Sequence, residues 1–187
     1  MSALLEVFSG FGLSASAGLN AYIPLLVTAL LAKYTNLIQL QEPWDALTNW
    51  WVIGLLIVLS LVEFFLDKIP AINHINDLVQ SVVRPTAGAI VFAASTNIIT
   101  DIHPVLALAL GLLISGSVNL VKTAAVRPAV SATTAGVGNI PVSFVEDATS
   151  TGVSILSIVL PVLVAVIFVF LITWIVWRFV LRPIGGD

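Results

Sequence analysis

Four carboxylates of this chain fall in two close sets. Glu63 and Asp67 stand in VEFFLDK at 62–68, and Glu146 and Asp147 are adjacent in VSFVED at 142–147. Glu63 and Asp67 share a face if that stretch is helical. Two carboxylates so close in a poorly hydrated place resist double ionisation, so the pair calls for a proton, a cation or a basic partner. Basic candidates are few. Arg84, Lys122 and Arg127 lie in apolar or small-residue stretches, and Asp77, Ser81 and Arg84 fall on one helical stripe. Glu63 or Asp67 is therefore an expected partner for Arg84, and Glu146 or Asp147 for Lys122 or Arg127. Asp77 and Arg84 are two turns apart and are not expected to pair directly. Lys68 points elsewhere and reads as a snorkelling lysine.

Hydroxyl and amide groups form a second set. Ser16 with Asn20, and Ser115 with Asn119, have the spacing of one helix face. Pro24, Pro85 and Pro161 cannot bond the carbonyls of Asn20, Ser81 and Ser157, so each reads as a hinge with a freed acceptor. Such groups need a partner inside a membrane: a neighbouring helix, water or an ion. A hard cation would find oxygen ligands here, with Glu63, Asp67 and Asp147 as the candidate metal ligands. Plain helix-to-helix hydrogen bonding is the competing reading, and interfacial solvation competes for Glu63 and Asp67. His74 and His103 lie beside helix ends and read as capping or interfacial groups, since no second histidine is spaced for a metal site.

These residues must be positioned by membrane helices. The 187 residues are 59% hydrophobic and 9% charged, with a mean hydropathy of +1.10, which places the chain in the integral-membrane class. A net charge of −3 suggests neither a nucleic-acid partner nor a polybasic lipid patch. Cysteine is absent, which removes thiolate chemistry and disulfides. The first apolar segment follows no basic stretch and is expected to be retained as a helix. One membrane domain, 1–187, is expected.

A crossing takes about 20 mostly apolar residues. Five segments qualify: about Leu4 to Lys33, Trp50 to Leu66, His74 to Ile98, Pro104 to Val126, and Val153 to Val180. Between the last two, Pro128 to Asp147 is rich in small residues and suits an enclosed, re-entrant or broken element. Six crossings with cytoplasmic termini, in an inner membrane, place Lys68, Arg127, Arg178 and Arg182 inside and Glu42, Asp45, Asp101, Glu146 and Asp147 outside, with Lys33 as the exception. Trp44, Trp50 and Trp51 then mark one interface, and Trp174 and Trp177 the other.

The chain also matches itself at three places in the same order. GLSASAGLN from Gly12 pairs with GLLISGSVN from Gly111, VEFFLD with VSFVED, and SVVRPTAGAIVF from Ser81 with SIVLPVLVAVIF from Ser157. Three crossings per copy would set the second copy upside down, giving an all-α polytopic protein of about six transmembrane or re-entrant helices in two inverted three-helix repeats, about 4–98 and 104–180.

GLNAYIPLLVTALLA at 18–32, VEFFLDKIPAINHINDLVQSVVRPTAGA at 62–89 and the tract from Asn119 through KTAAVRP to PVSFVED carry a resemblance to a family of small bacterial integral-membrane proteins known only as domain of unknown function 4126. That resemblance covers nearly the whole chain and implies no activity. VEFFLDK also resembles, more weakly, the repeated acidic motif of inverted-repeat calcium/manganese exchangers. It departs from that motif in acid spacing, in lacking the glycine, and in the adjacent Glu146 and Asp147.

The expectation is a small transporter or channel for an inorganic ion, cation or proton-coupled, or for a small polar solute. Its pathway would use Glu63, Asp67, Glu146, Asp147, Asn20, Asn119, Ser16 and Ser115. Its charge network would be Asp77, Arg84, Lys122 and Arg127. No cofactor is expected beyond a bound inorganic cation; the partners are the bilayer, the transported ion or solute, and further copies of the chain. The alternatives are an assembly protein with buried ion pairs, or a lipid- or anion-handling protein. No enzyme signature is present.

Overall fold

The computed structural model describes residues 3–67, 70–96 and 103–178. Lys68, Asp101 and Arg182 lie outside the described residues, as does the side chain of His74. The described chain is helical: α1 Ala3–Leu19, α2 Tyr22–Tyr34, α3 Trp50–Leu66, α4 Pro70–Thr96, α5 Pro104–Val121, α6 Arg127–Thr134, α7 Asn139–Val159 and α8 Pro161–Val176. A short 3-10 turn, Trp44–Thr48, precedes α3, and a π-helical turn, Lys122–Val126, joins α5 to α6. Asn49 caps α3 by accepting from Trp51 N at 3.0 Å, and His103 caps α5 by accepting from Val105 N at 3.3 Å, the capping role expected of that histidine.

Three helical stretches are long and apolar enough to cross a membrane: Asn76–Thr96, Pro104–Thr134 and Asn139–Val159. Six expected crossings thus reduce to three of full length among the described residues, with shorter apolar helices beside them. The first expected crossing is interrupted at Asn20 and Ala21, and α2 turns back along α1. Asn36 to Gln39 line the same pocket as Glu6 and Ser9, whereas α2 continuing α1 would place them roughly 45 Å away. The N-terminal end and the Glu42–Asp45 loop therefore lie at one end of the molecule, not at opposite ends as the expected alternation required. The final expected crossing is interrupted as well. Leu160 leaves the helical region at φ −135°, and Pro161, which has no N–H to continue the ladder, opens α8.

The stretch from Pro128 to Asp147, expected as an enclosed, re-entrant or broken element, is broken. Pro128 cannot bond the carbonyl four residues back, and the preceding turn widens to the π form. The α6 helix then ends where Ala135 and Gly136 take φ of 51° and 87°, a reversal that glycine adopts without penalty. The three prolines expected to hinge behave differently. Pro161 sits at a break and Pro24 in the first turn of α2, where its missing N–H costs little; Pro85 lies inside an unbroken α4.

Buried α1 packs against α4, α5, α7 and α8. Small residues set these distances, as expected where lipid removes most of the hydrophobic drive for helix association. A Cβ on Gly111 would meet the Gly88 carbonyl oxygen, Phe92 Cβ at 2.7 Å and Ala89 Cα at 2.8 Å; one on Gly18 would meet the Ser115 carbonyl oxygen at 2.6 Å. Around them an apolar core of Leu13, Ala17, Leu25, Ile53, Leu56 and Val91 fills the space between α1, α2, α3 and α4.

Candidate functional site

The α1–α2 break is built by Asn20. Its Oδ1 accepts from Tyr22 N and Ile23 N, each at 3.1 Å, so its side chain caps α2, while its Nδ2 donates to Asp147 Oδ1 at 3.0 Å. Ala21 N donates to Glu63 Oε2 at 3.2 Å, and the Leu19 carbonyl accepts from Lys122 Nζ at 2.8 Å. A carboxylate thus faces the first N–H groups of one helix, and an ammonium faces the last carbonyls of the other. Both placements match the partial charges of helix ends.

Behind this tip lies a buried ion cluster. Arg84 Nη2 donates to Glu63 Oε1 at 2.9 Å and Arg84 Nη1 to Asn119 Oδ1 at 3.0 Å, with neither charged side chain exposed. Arg127 Nη2 lies 2.9 Å from Glu146 Oε2 and 3.1 Å from Asp67 Oδ2, and also donates to Ser143 Oγ at 3.2 Å. Lys122 Nζ pairs with the same Glu146 oxygen at 2.9 Å. Asp67 is the common member, because Arg84 at 3.6 Å and Lys122 at 3.7 Å approach its Oδ2 as well.

The expected pairings of Arg84 with Glu63, and of Lys122 and Arg127 with Glu146, are present. Asp77 departs from expectation. It reaches Arg84 at 4.0 Å and Arg127 at 4.0 Å, although the first is two helical turns away on its own helix. Ser81 also departs, being exposed and bonded to the Leu78 carbonyl. The three acids offered as metal ligands do not converge. Glu63 turns to Arg84, Asp67 to the three cations and Asp147 to Asn20, and no metal-type group of His, Asp or Glu occurs among the described residues. Pairing explains why: each of the three carboxylates is engaged by a basic or amide partner.

The expected Ser16 and Ser115 contacts are helix-to-helix bonds. Ser115 Oγ donates to the Arg84 carbonyl at 2.7 Å, and Ser16 Oγ lies 2.8 Å from Ser150 Oγ and 2.7 Å from Ser154 Oγ. Sequence reasoning missed the extent of this polar face. Asn139, Ser143, Glu146, Asp147, Ser150, Ser154 and Ser157 are all buried on α7, in steps of three or four apart from the adjacent Glu146 and Asp147, a pattern that the sequence displays directly. It also missed Asn76, whose Nδ2 donates to Asp67 Oδ1 at 2.6 Å.

One groove reaches the edge of the cluster. It holds about 770 Å³ between α5 and α7 and is walled by Val118, Val121, Val142 and Val145, and Lys122 and Glu146 line it as well. Among the described residues, then, the ion pair nearest this opening is Lys122–Glu146 rather than Arg84–Glu63.

No curated protein and no solved structure matches the chain, so the weaker likeness to calcium/manganese exchangers has no support from that quarter. One family model does match. It spans residues 7–180, nearly the whole chain, and the protein belongs to the family described as a domain of unknown function, DUF4126.

Proposed function

We propose that this protein is a small membrane transporter or channel for an inorganic ion, cation or proton-coupled, whose site is the cluster around Asp67. One observation carries the reading. Among the described residues, four buried carboxylates, Glu63, Asp67, Glu146 and Asp147, and the half-buried Asp77 gather with three buried bases, Arg84, Lys122 and Arg127. Ionisable groups at that depth are costly and by default mark ion or substrate pathways, and a carboxylate-rich one suits protons or cations. The break at Asn20 brings helix ends to the same place, as in transporters whose discontinuous helices meet their substrate.

The inverted-repeat plan belongs to this proposal. Aligned Phe64 and Phe144 stack edge to face with centroids 5.5 Å apart, and aligned Asn20 and Asn119 bond Asp147 and Arg84. Both support a relation between the halves. Localisation in an inner membrane is part of the same reading.

Flux into proteoliposomes is the test. A cation or proton flux above that of empty vesicles, lowered by Asp67→Asn, is expected. Absence of flux in every tested gradient would sink the transporter reading, leaving paired charges that fix helix register in an assembly protein. The lateral groove favours a second reading, lipid or anion handling, in which a headgroup displaces Glu146 from Lys122. Co-purified anionic lipid lost on Lys122→Met would favour that one.

A further inference from the structure

A second polar pocket lies far from the Asp67 cluster, at the opposite end of α1. It encloses about 240 Å³ between Glu6 and Ser9 of α1, the 36–39 segment that follows α2, and Ser95 at the end of α4. Glu6 is 2% exposed and Ser9 1% exposed, yet Glu6 Oε2 and Ser9 Oγ have no hydrogen-bond partner. Ser95 Oγ donates its proton to the Val91 carbonyl at 2.7 Å, which leaves its lone pairs to face the pocket.

A buried carboxylate oxygen and a buried hydroxyl left unbonded are expensive, unless something fills the space beside them. At about 30 Å³ per water, the pocket has room for roughly eight waters, or for an ion with part of its hydration shell. Among the described residues, every polar side chain on its wall offers oxygen: Glu6, Ser9, Ser95, Asn36 and Gln39. Oxygen-only donor sets suit hard cations. Among the described residues Glu6 is the wall's one carboxylate, and a single carboxylate balances a single positive charge, which favours a monovalent ion over a divalent one.

We infer that the Glu6–Ser9–Ser95 pocket is a binding site for a monovalent alkali cation, separate from the charge network. Glu6 supplies the charge and Ser9 and Ser95 supply neutral oxygen ligands. About 21 Å of α1 separates Glu6 from Asn20. Gly12 packed on Ser157, and Leu13, which is fully buried, close the interval. The pocket is therefore a site in its own right and does not depend on whether the network conducts.

Its test uses the purified full-length protein in detergent, with choline chloride replacing sodium or potassium chloride at constant ionic strength. Radioactive sodium, with potassium as competitor, is measured at equilibrium alongside the thermal midpoint. Saturable binding at a Glu6-dependent site and a cation-dependent rise in midpoint are expected in the parent. Binding should weaken at least about tenfold in Glu6→Gln and less in Ser9→Ala. Should Glu6→Gln fail to fold, Ser9→Ala and Ser95→Val serve in its place, each lowering affinity. The inference is overturned if neither cation saturates a site, if only divalent ions do, or if every saturable site survives Glu6→Gln unweakened. Loss on Asp67→Asn with Glu6→Gln unaffected would equally overturn it, by moving the site to the network.

Discussion

Arg84 and Glu63 face each other at 2.9 Å with both side chains wholly buried, and the same carboxylate accepts the backbone N–H of Ala21. Removing one member strands the other. Arg84→Met is expected to destabilise the fold by about 3–5 kcal/mol, whereas the double change Glu63→Gln with Arg84→Gln recovers most of that loss. Reversible unfolding in mixed micelles measures both; equal losses for the single and double variants would contradict the pairing.

Asn20 holds α2 and Asp147 at once, so two substitutions separate its roles. Asn20→Ala loses the cap and is expected to cost about 1–2 kcal/mol. Asn20→Asp retains the cap acceptors but sets a carboxylate against Asp147, and should cost at least as much. Hydrogen exchange at Tyr22 and Ile23 distinguishes them, rising sharply only in Asn20→Ala.

Glycines on the long helices divide by what surrounds them. Gly111→Ala forces its methyl onto the backbone of α4 and is expected to cost about 2–3 kcal/mol, since neither helix can yield without moving the other. Gly152→Ala meets nothing within 4 Å and should be neutral, or stabilising by up to about 1 kcal/mol. Thermal midpoints in detergent rank the two.

The π turn offers a change of register with little change of composition. Pro128→Ala restores the N–H that a regular α-helix would use, so the turn is expected to tighten and withdraw Lys122 from Glu146. The expected outcome is ion flux, or lipid co-purification, lowered severalfold with folding intact; an unaltered activity would show that the wide turn is merely tolerated.

Because α2 turns back beside α1, Leu4 and Gln41 lie at one end of the molecule and Val137 at the other. The chain has no cysteine of its own, so single Leu4→Cys, Gln41→Cys and Val137→Cys variants need no background change. Impermeant maleimide on oriented vesicles should reach the first two from one side and the third from the other. Labelling of Leu4→Cys and Gln41→Cys from opposite sides would restore the single crossing that the sequence suggested.

That crossing illustrates what a linear reading can and cannot see. From Leu4 to Lys33 the residues are apolar enough throughout, and hydropathy is silent on direction. The reversal depends on Asn20 finding Tyr22, Ile23 and Asp147, the last of them 127 residues distant. The partners of Arg84 and Arg127 were legible, because buried charge must be matched and few acids were available. Asn76 was not, since a neutral amide beside many apolar residues gives no comparable signal. The α7 stripe was present in the letters but masked by attention to its two acids. Convergence on a metal was read from residue type alone, and type does not reveal which neighbour is closer.

The cluster also sets a sequence of events during synthesis. Glu63 and Arg84 lie within one hairpin, α3 and α4, and can neutralise each other as soon as both have emerged. Lys122 and Arg127 can likewise find Glu146 within the later half. Asp67 is matched only in part this way: Arg84 reaches its Oδ2 at 3.6 Å, whereas its closest base among the described residues, Arg127 at 3.1 Å, is 60 residues downstream. The charge set of the first half is thus completed only when α6 arrives, which ties the settling of the two halves to each other.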